Sequence, residues 1–520
     1  MKRNFKTFKD LMWKFRNNQE LWQATDEARA EQDAMNMLQA LRETENRTFT
    51  ENGAATLYTA GSGCTDLFAT IGALRQAEDQ VVVNRFLRAW VENRDLALRI
   101  LFYARDIRGG LGERQVFRTV LRWLAQNEPA SVKRNLSLIP EFGRWDDVLV
   151  LMETPCEGEV VALIRTQLAA DLRAMEAQQP VSLLAKWLPS VNTSNPETVR
   201  MGRRVARALG MTDQAYRQTL SRLRAAIQIL ENNLRQRDYS FDYAKQTSGA
   251  MFRYRKAFIR IDGDRYRAYL TRVAKGNETL HTDTLMPYEL VRRAVSGLTA
   301  EERQSLDVTW NALPDYTHGE NALVVVDGSD SMTWGGNPRP IDVAVSLGMY
   351  FAERNTGAFH NHFITFSMTP RLVEIKGEDF VERVRYCRTY NECAYTNLQA
   401  VFELILRAAV AKRLPQEQLP STLYIITDME FDFCTTNASM TNFETAKALF
   451  ARHGYQLPNV VFWDVQSRNE QQPVQENEQG VALVSGASAQ IFSMAMSGDL
   501  NPYNYMMQVL AQERYMRVFA

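Results

Sequence analysis

The sequence predicts a two-part chain, an all-helical half followed by a doubly wound α/β unit. Three observations predict it. Through roughly the first three hundred residues, apolar positions recur with a period near 3.6 and almost no strand signal. From residue 322 onward, short apolar runs alternate with helical stretches, the pattern of a parallel sheet wound by helices. Two of those runs end in an aspartate, Asp327 and Asp428.

Taken in order, Leu96 to Ala104 is one clear apolar stripe and Val116 to Leu124 is the next. Between them, Arg105 to Arg114 is a break rich in glycine and charge. Further helices are expected around 131–151, 158–177, 197–209 and 212–234. Successive short amphipathic helices joined by tight turns suggest an α-solenoid of helical hairpins, solenoid or ring, although no strict sequence period accompanies them. Residues 301–320 have no long apolar run and contain Leu313-Pro-Asp-Tyr-Thr-His-Gly319, a plausible boundary. Beyond it the alternating runs are 322–327, 341–356, 361–366, 397–411, 422–427, 442–453, 459–465 and 481–485, and the tail 499–520 reads as a last helix packed on one of the domains. The expected divisions are therefore 1–310, 320–498 and 499–520.

The 520 residues are 45% hydrophobic and 23% charged, which suits a globular chain of two to four domains. Met1-Lys-Arg-Asn-Phe-Lys6 lacks the apolar stretch of a secretory leader, and no run approaches the roughly 18 apolar residues of a membrane span. The five cysteines are scattered, and Cys387 and Cys393 have no matching second pair, so reduced thiols in a cytoplasmic protein are expected rather than zinc. A net charge of zero hides an asymmetry. Residues 1–319 hold 46 Lys and Arg against 39 Asp and Glu, and residues 200–275 hold 18 against 6.

The segment Ala322 to Met332 carries the sharpest chemistry. Five apolar residues run into Asp327-x-Ser329-x-Ser331. A carboxylate and two hydroxyls at alternate positions suit a hard divalent cation, Mg²⁺ or Mn²⁺. Thr396 sits at the start of an amphipathic helix, and Asp428 ends the second buried run. In an open parallel sheet, ligands gather at the carboxyl ends of strands near the topological switch point, so Asp327, Ser329, Ser331, Thr396 and Asp428 can converge on one ion. The plainer alternative is that the two aspartates only cap strand ends. Asp330 either adds negative charge beside the ion or points to solvent.

The basic stretch 200–275 is also rich in aromatics: Tyr216, Tyr239, Phe241, Tyr243, Phe252, Tyr254, Phe258, Tyr266 and Tyr269. Basic side chains neutralise phosphates, and exposed rings stack unpaired bases at about 1–3 kcal/mol each. Arg253, Tyr254, Arg255, Lys256, Arg260, Arg265 and Arg267 are the candidate RNA-binding residues. The alternative is that helical spacing buries the rings and the cations solvate a face. Gly109 to Arg114 is no phosphate loop, because no strand precedes it and no Lys-Ser/Thr follows; a tight turn is expected, with Asp106 and Glu113 available to pair Arg105, Arg108 and Arg114. Glu430 and Asp432 follow Asp428 closely, but no histidine accompanies them, and His360 and His362 read as loop residues, so a hydrolase is disfavoured.

The order Asp327, Ser329, Ser331, Thr396, Asp428 resembles the metal-ion-dependent adhesion site of von Willebrand factor A domains, except that many of those have glycine at the position of Asp330. That resemblance implies direct or water-mediated ligation by the first four residues, a water-mediated role for Asp428, and one coordination position open to a partner's carboxylate. With both halves in view, the chain, through Leu101 to Arg114, Ile139 to Asp147, Leu184 to Pro189, Ile364 to Ser367, Thr427 to Asp432 and Val461 to Asp464, resembles a bacterial or phage relative of the Ro autoantigen (TROVE) proteins. More closely it resembles an uncharacterised family of the same layout. The resemblance spans about residues 90–515. It implies HEAT-like helical repeats, a Rossmann-like A domain and RNA binding by the helical ring, with small non-coding or misfolded RNA as partner. The resulting expectation is a non-enzymatic, magnesium-binding ribonucleoprotein scaffold, monomeric and without a membrane role. The alternative expectation is a metal-dependent protein-binding module with no RNA role.

Overall fold

The structure, a computed structural model, describes residues 37, 41, 45–227, 229–317, 319, 321–391, 397–432, 440–494 and 500–520. It opens with a feature absent from the sequence expectation, a two-stranded antiparallel hairpin, β1 (Arg47–Phe49) and β2 (Ala55–Leu57). Helices follow through Asn311, with local signals fixing their starts. Asn93 accepts from the Leu96 amide to begin Arg94–Arg105, and Thr212 caps Asp213–Ala226 in the same way. Asn195 caps Pro196–Ala208, whose proline occupies the first turn, where its missing N–H is harmless.

The α/β half is one mixed six-stranded sheet: β3 (Ala322–Asp327), β4 (His362–Phe366), β5 (Leu372–Glu374), β6 (Thr422–Thr427), β7 (Asn459–Asp464) and β8 (Val481–Ser485). The spatial order is β5-β4-β3-β6-β7-β8. All neighbours are parallel except β4 and β5. The short edge strand β5 and the helix Phe380–Arg388 lie outside the runs read from sequence.

Strand residues alternate between two cores. Leu323, Val325, Ile425 and Phe462 face the helices Leu398–Lys412 and Asn442–Arg452. Val324, Val326, Ile426 and Trp463 face the other way, toward the helix Pro340–Arg354 and the helical half. Burial on both faces explains why these strands read as unbroken apolar runs rather than alternating ones. After β3 the chain moves to one side, to β4, and then returns to place β6 on the other side. The switch point therefore lies between the carboxyl ends of β3 and β6.

The two halves share a core that runs from Cys64 to Val518. The turn after helix Gly63–Thr70 abuts β8 so closely that a Cβ on Gly72 would lie 2.5 Å from the Ser485 carbonyl oxygen. The tail forms two short helices, Pro502–Leu510 and Glu513–Met516, instead of one. Tyr505 packs edge-on to Phe68 and Tyr515 edge-on to Tyr103, so the tail is fastened to the helical half.

The glycine-rich break is structural, with partners other than those expected. Arg105 is buried and bonds Asp147 at 2.8 Å, while buried Asp106 accepts from Arg514 at 2.8 Å and from the Tyr515 hydroxyl at 2.9 Å. Glu113 pairs with Arg75. A Cβ on Gly110 would lie 2.1 Å from the Tyr103 carbonyl oxygen, which is why the turn needs glycine there. No helix among the described residues is long and apolar enough to cross a membrane.

Candidate metal site

All six residues of β3 are buried, and the strand delivers Asp327 fully enclosed at its end. The two oxygens of Asp327 have separate donors. Its Oδ1 accepts from the Ser329 amide at 2.9 Å, and its Oδ2 accepts from the Thr427 hydroxyl at 2.6 Å. The chain then turns in a short 3₁₀ segment, leaving the Ser329 and Ser331 hydroxyl oxygens 3.0 Å apart.

Across the switch point, Asp428 follows β6. Met429 takes a left-handed backbone (φ 65°), a sharp turn unusual for a non-glycine residue. Asp428 Oδ1 accepts from the Glu430 amide at 3.3 Å, its Oδ2 accepts from Arg468 at 3.0 Å, and Ser331 bonds its carboxylate from the β3 side. Four of the five expected residues, Asp327, Ser329, Ser331 and Asp428, thus meet at one place. Thr396 lies outside the described residues; its neighbour Asn397 caps the helix Leu398–Lys412 through the Ala400 amide at 2.8 Å.

Asp330 is exposed and accepts from the Trp334 indole at 3.0 Å, which places it on the solvent side. Glu430 is buried but occupied, accepting from the Glu51 amide at 2.9 Å, Asn469 at 2.8 Å and Gln471 at 2.9 Å. Asp432 forms a bridge to Gly53 of the β1–β2 hairpin. The histidines point their rings at carbonyls, His360 at Asn355 (2.6 Å) and His362 at His360 (2.7 Å).

Electrostatics at the switch point favour a cation. Burial, reinforced by repulsion from Asp428, holds the Asp327 carboxyl above its ordinary range. Burial raises Asp428 as well, partly offset by Arg468. A third strand-ending carboxylate, Asp464 at the end of β7, is pushed up to about 8 by burial, with nearby Arg85 pulling the other way and Asp428 adding to the rise. Asp464 has the same signature as Asp327 and Asp428, an aspartate closing a buried run, and sequence reasoning passed over it. Arg468 and Glu51 had no sequence signal at all.

The donor set, two carboxylates and two hydroxyls, consists of hard oxygens and fits Mg²⁺ or Mn²⁺, which keep several waters and take few protein ligands. No cluster of three or more His, Cys, Asp or Glu side chains placed for a metal occurs among the described residues. The fit therefore rests on the hydroxyls and on waters to complete the shell.

The basic candidates scatter, and the structure corrects several of them. Arg255 is buried at 2% exposure, with its Nη1 turned back to the Phe252 carbonyl, so it presents no charge to a phosphate. Met251, Arg255 and Phe258 lie on one buried helical stripe, a spacing that was readable in the sequence. Lys256 is paired with Glu302 at 2.9 Å, Arg265 with Asp262 at 2.7 Å, and Arg267 with Asp264. Tyr254 is half-buried, its hydroxyl 3.3 Å from Glu231. The stacking platform does not exist in this form: Tyr216, Tyr243, Phe258, Tyr266 and Tyr269 are buried, and the other four rings are half-buried. Tyr243, Phe258, Tyr266 and Tyr269 pack on one another instead. Arg253 and Arg260 are exposed and form no ion pair with a described residue.

Fold and site together define a helical scaffold built onto a three-layer α/β unit with a carboxylate–hydroxyl site at its switch point. The chain belongs to the family described as domain of unknown function DUF2828, which matches residues 50–164 and 156–318, more than half of the chain. A second domain of unknown function, DUF7788, matches residues 321–514. An uncharacterized protein of Acanthamoeba polyphaga mimivirus is 28% identical over 507 residues, covering 89% of this chain and 87% of that protein. The crystal structure of the Deinococcus radiodurans Ro protein aligns with 88% of this chain and 100% of its own at 12% identity and a TM-score of 0.34. A likeness at that level says nothing about function.

Proposed function

We propose that this protein is a non-enzymatic binding scaffold whose α/β unit is of the von Willebrand factor A type and holds Mg²⁺ or Mn²⁺ at Asp327, Ser329, Ser331, Thr396 and Asp428. The observation that carries this reading is the meeting of Asp327, Ser329, Ser331 and Asp428 at the switch point, with the two hydroxyl oxygens 3.0 Å apart. When bound, the ion supplies a Lewis-acidic position for a carboxylate from a protein partner. The chain's own residues orient the donors: Thr427 and the Ser329 amide fix Asp327, and the Glu430 amide and Ser331 fix Asp428. Glu430 and the histidines are engaged elsewhere, which supports a binding role over a hydrolytic one. Titrating Mg²⁺ or Mn²⁺ into the EDTA-stripped protein tests the reading. Saturable binding that Asp327→Ala removes is the expected result, and no binding by the folded wild type refutes it.

One observation favours a second reading, RNA binding on the helical half. Arg207, Arg217, Arg222, Arg253, Arg260 and Lys275 are exposed and form no ion pair with any described residue. Unpaired surface cations are free to neutralise phosphates, which fits the Ro-type resemblance with RNA as partner. With the rings packed away, affinity would come from charge alone, so it should fall steeply between 50 and 200 mM salt, by about ten-fold or more for a few phosphate contacts. Anisotropy of a labelled single-stranded RNA measures it, and affinity flat across salt rules the reading out.

A further inference from the structure

A cation already touches the switch-point site, and it belongs to the chain. Arg468 lies just beyond β7. Its Nη2 donates to Asp428 Oδ2 at 3.0 Å, and its Nη1 is 3.2 Å from Glu51 Oε2 on the β1–β2 hairpin loop. Asp428 is buried and makes no ion pair with any other described residue, whereas Glu51 is half-exposed.

The backbone on either side of Arg468 is pinned. The Val465 amide donates to the Thr427 carbonyl at 3.0 Å, and the Ser467 amide to the Ala73 carbonyl at 3.2 Å. Arg85 holds the Ser467 hydroxyl at 2.6 Å and the Asn469 carbonyl at 2.9 Å. Asn469 in turn bonds Glu430 at 2.8 Å and Glu51 at 3.0 Å. The side chain of Arg468, one-third exposed, is the part left free to move.

We propose that Arg468 is the built-in counter-ion of this site and competes with the divalent cation for Asp428, so that loading the ion transfers the guanidinium from Asp428 to Glu51 alone. The inference rests on the adhesion-type reading of the site. Charge accounting carries it. With Arg468 kept on Asp428, a divalent ion among two carboxylates would sit against a guanidinium that shares one of its ligands, and like charges would crowd a buried place. After the exchange, the ion faces Asp327 and Asp428, and Arg468 faces Glu51; both groupings are neutral. Glu51 already lies within reach of the same guanidinium, so the transfer needs a rotamer change and no backbone movement. Ion affinity is then an exchange constant, weaker than the donor set alone would give.

Calorimetric titration of Mn²⁺ into the EDTA-stripped full-length protein tests the exchange, with unfolding temperature as a second readout. Arg468→Gln is expected to bind at least about tenfold more tightly than wild type, ~1.4 kcal/mol. Arg468→Lys, which keeps the charge without the two-pronged reach, should fall between them and serves if the glutamine variant does not fold. Glu51→Gln removes the acceptor for the released guanidinium and should bind about threefold more weakly. Equal or weaker binding by Arg468→Gln would overturn the exchange and make Arg468 an organiser of the site. If neither wild type nor Arg468→Gln binds while both melt cooperatively, the metal-site reading itself fails and takes the exchange with it.

Discussion

Replacing Asp464 by asparagine should make the protein more stable at alkaline pH. The carboxylate is 3% exposed, and burial pushes it up to about 8 from an ordinary value of 3.8. A carboxyl whose folded pKa lies above its unfolded one keeps its proton longer in the folded state. Its contribution to stability is greatest below pH ~4, declines as pH rises toward ~8 and is constant beyond. At about 1.36 kcal/mol per pKa unit, the ionised group opposes folding by roughly 4 kcal/mol at pH 7 and by 5 or more above pH 8. These are upper bounds, because any water reaching the carboxylate lowers the penalty.

Asparagine keeps the geometry. Its oxygen can accept from the Gln466 amide, as Asp464 Oδ1 does at 2.9 Å. Arg85 does not lose its support, since it retains the Ser467 hydroxyl, the Asn469 carbonyl and Glu470. Urea unfolding in EDTA at pH 5 and pH 8.5 is the assay. The expected result is a variant more stable by at most about 1.6 kcal/mol at pH 5 and by about 2 kcal/mol or more at pH 8.5, the gain growing between the two. A variant less stable than wild type at pH 8.5 would refute the reasoning, because it would mean that Arg85 holds Asp464 ionised as a net-favourable buried pair.

Three further outcomes are expected. Saturating Mg²⁺ at a hundred times its dissociation constant should stabilise the wild type by about 2.7 kcal/mol, and Asp327→Ala should lose this response in a thermal melt while its RNA retention is unchanged. Reversing Arg253 and Arg260 to glutamate should weaken binding of single-stranded RNA and flatten its log–log salt slope by at least ~1.4, whereas Tyr254→Ala should leave the salt slope as it is; anisotropy across a salt series reads both. Asp147→Ala strands Arg105, which is 1% exposed, and should cost about 3–5 kcal/mol in urea unfolding.

The parts of this molecule that were legible in the sequence are those whose causes are local. Strands buried on both faces must be apolar throughout, so β3, β4, β6, β7 and β8 appear as short apolar runs, and Asp327 and Asp428 stand out because they end two of them. The edge strand β5 has the pattern exposed–buried–exposed over three residues, too little to register. The β1–β2 hairpin was hidden for a different reason: its bridging partners, Asp432 and Gln472, lie about four hundred residues away. Arg468 meets Asp428 across 40 residues and Glu51 across more than 400, and no spacing rule reaches that far. The basic–aromatic stretch shows the opposite failure. Its composition is that of a nucleic-acid surface, but helical periodicity, which places Met251, Arg255 and Phe258 on one stripe, outranks composition in deciding what faces solvent.

The continuity of the core constrains how the proposed ion site can work. The loop that carries Arg468 is not held by the α/β unit alone. Arg85 on helix Asp79–Glu92, the Ala73 carbonyl at the turn before that helix and Glu51 on the hairpin all belong to the helical side of the chain. Their positions are set in turn by packing that admits no Cβ at Gly72, where the turn meets β8. The counter-ion of the switch-point carboxylates is therefore positioned by one half of the protein and used by the other. An isolated α/β fragment would keep Asp327, Ser329, Ser331 and Asp428 but lose Glu51, Arg85 and the anchored loop. It would not be the same site, so the proposed ion binding has to be measured on the whole chain.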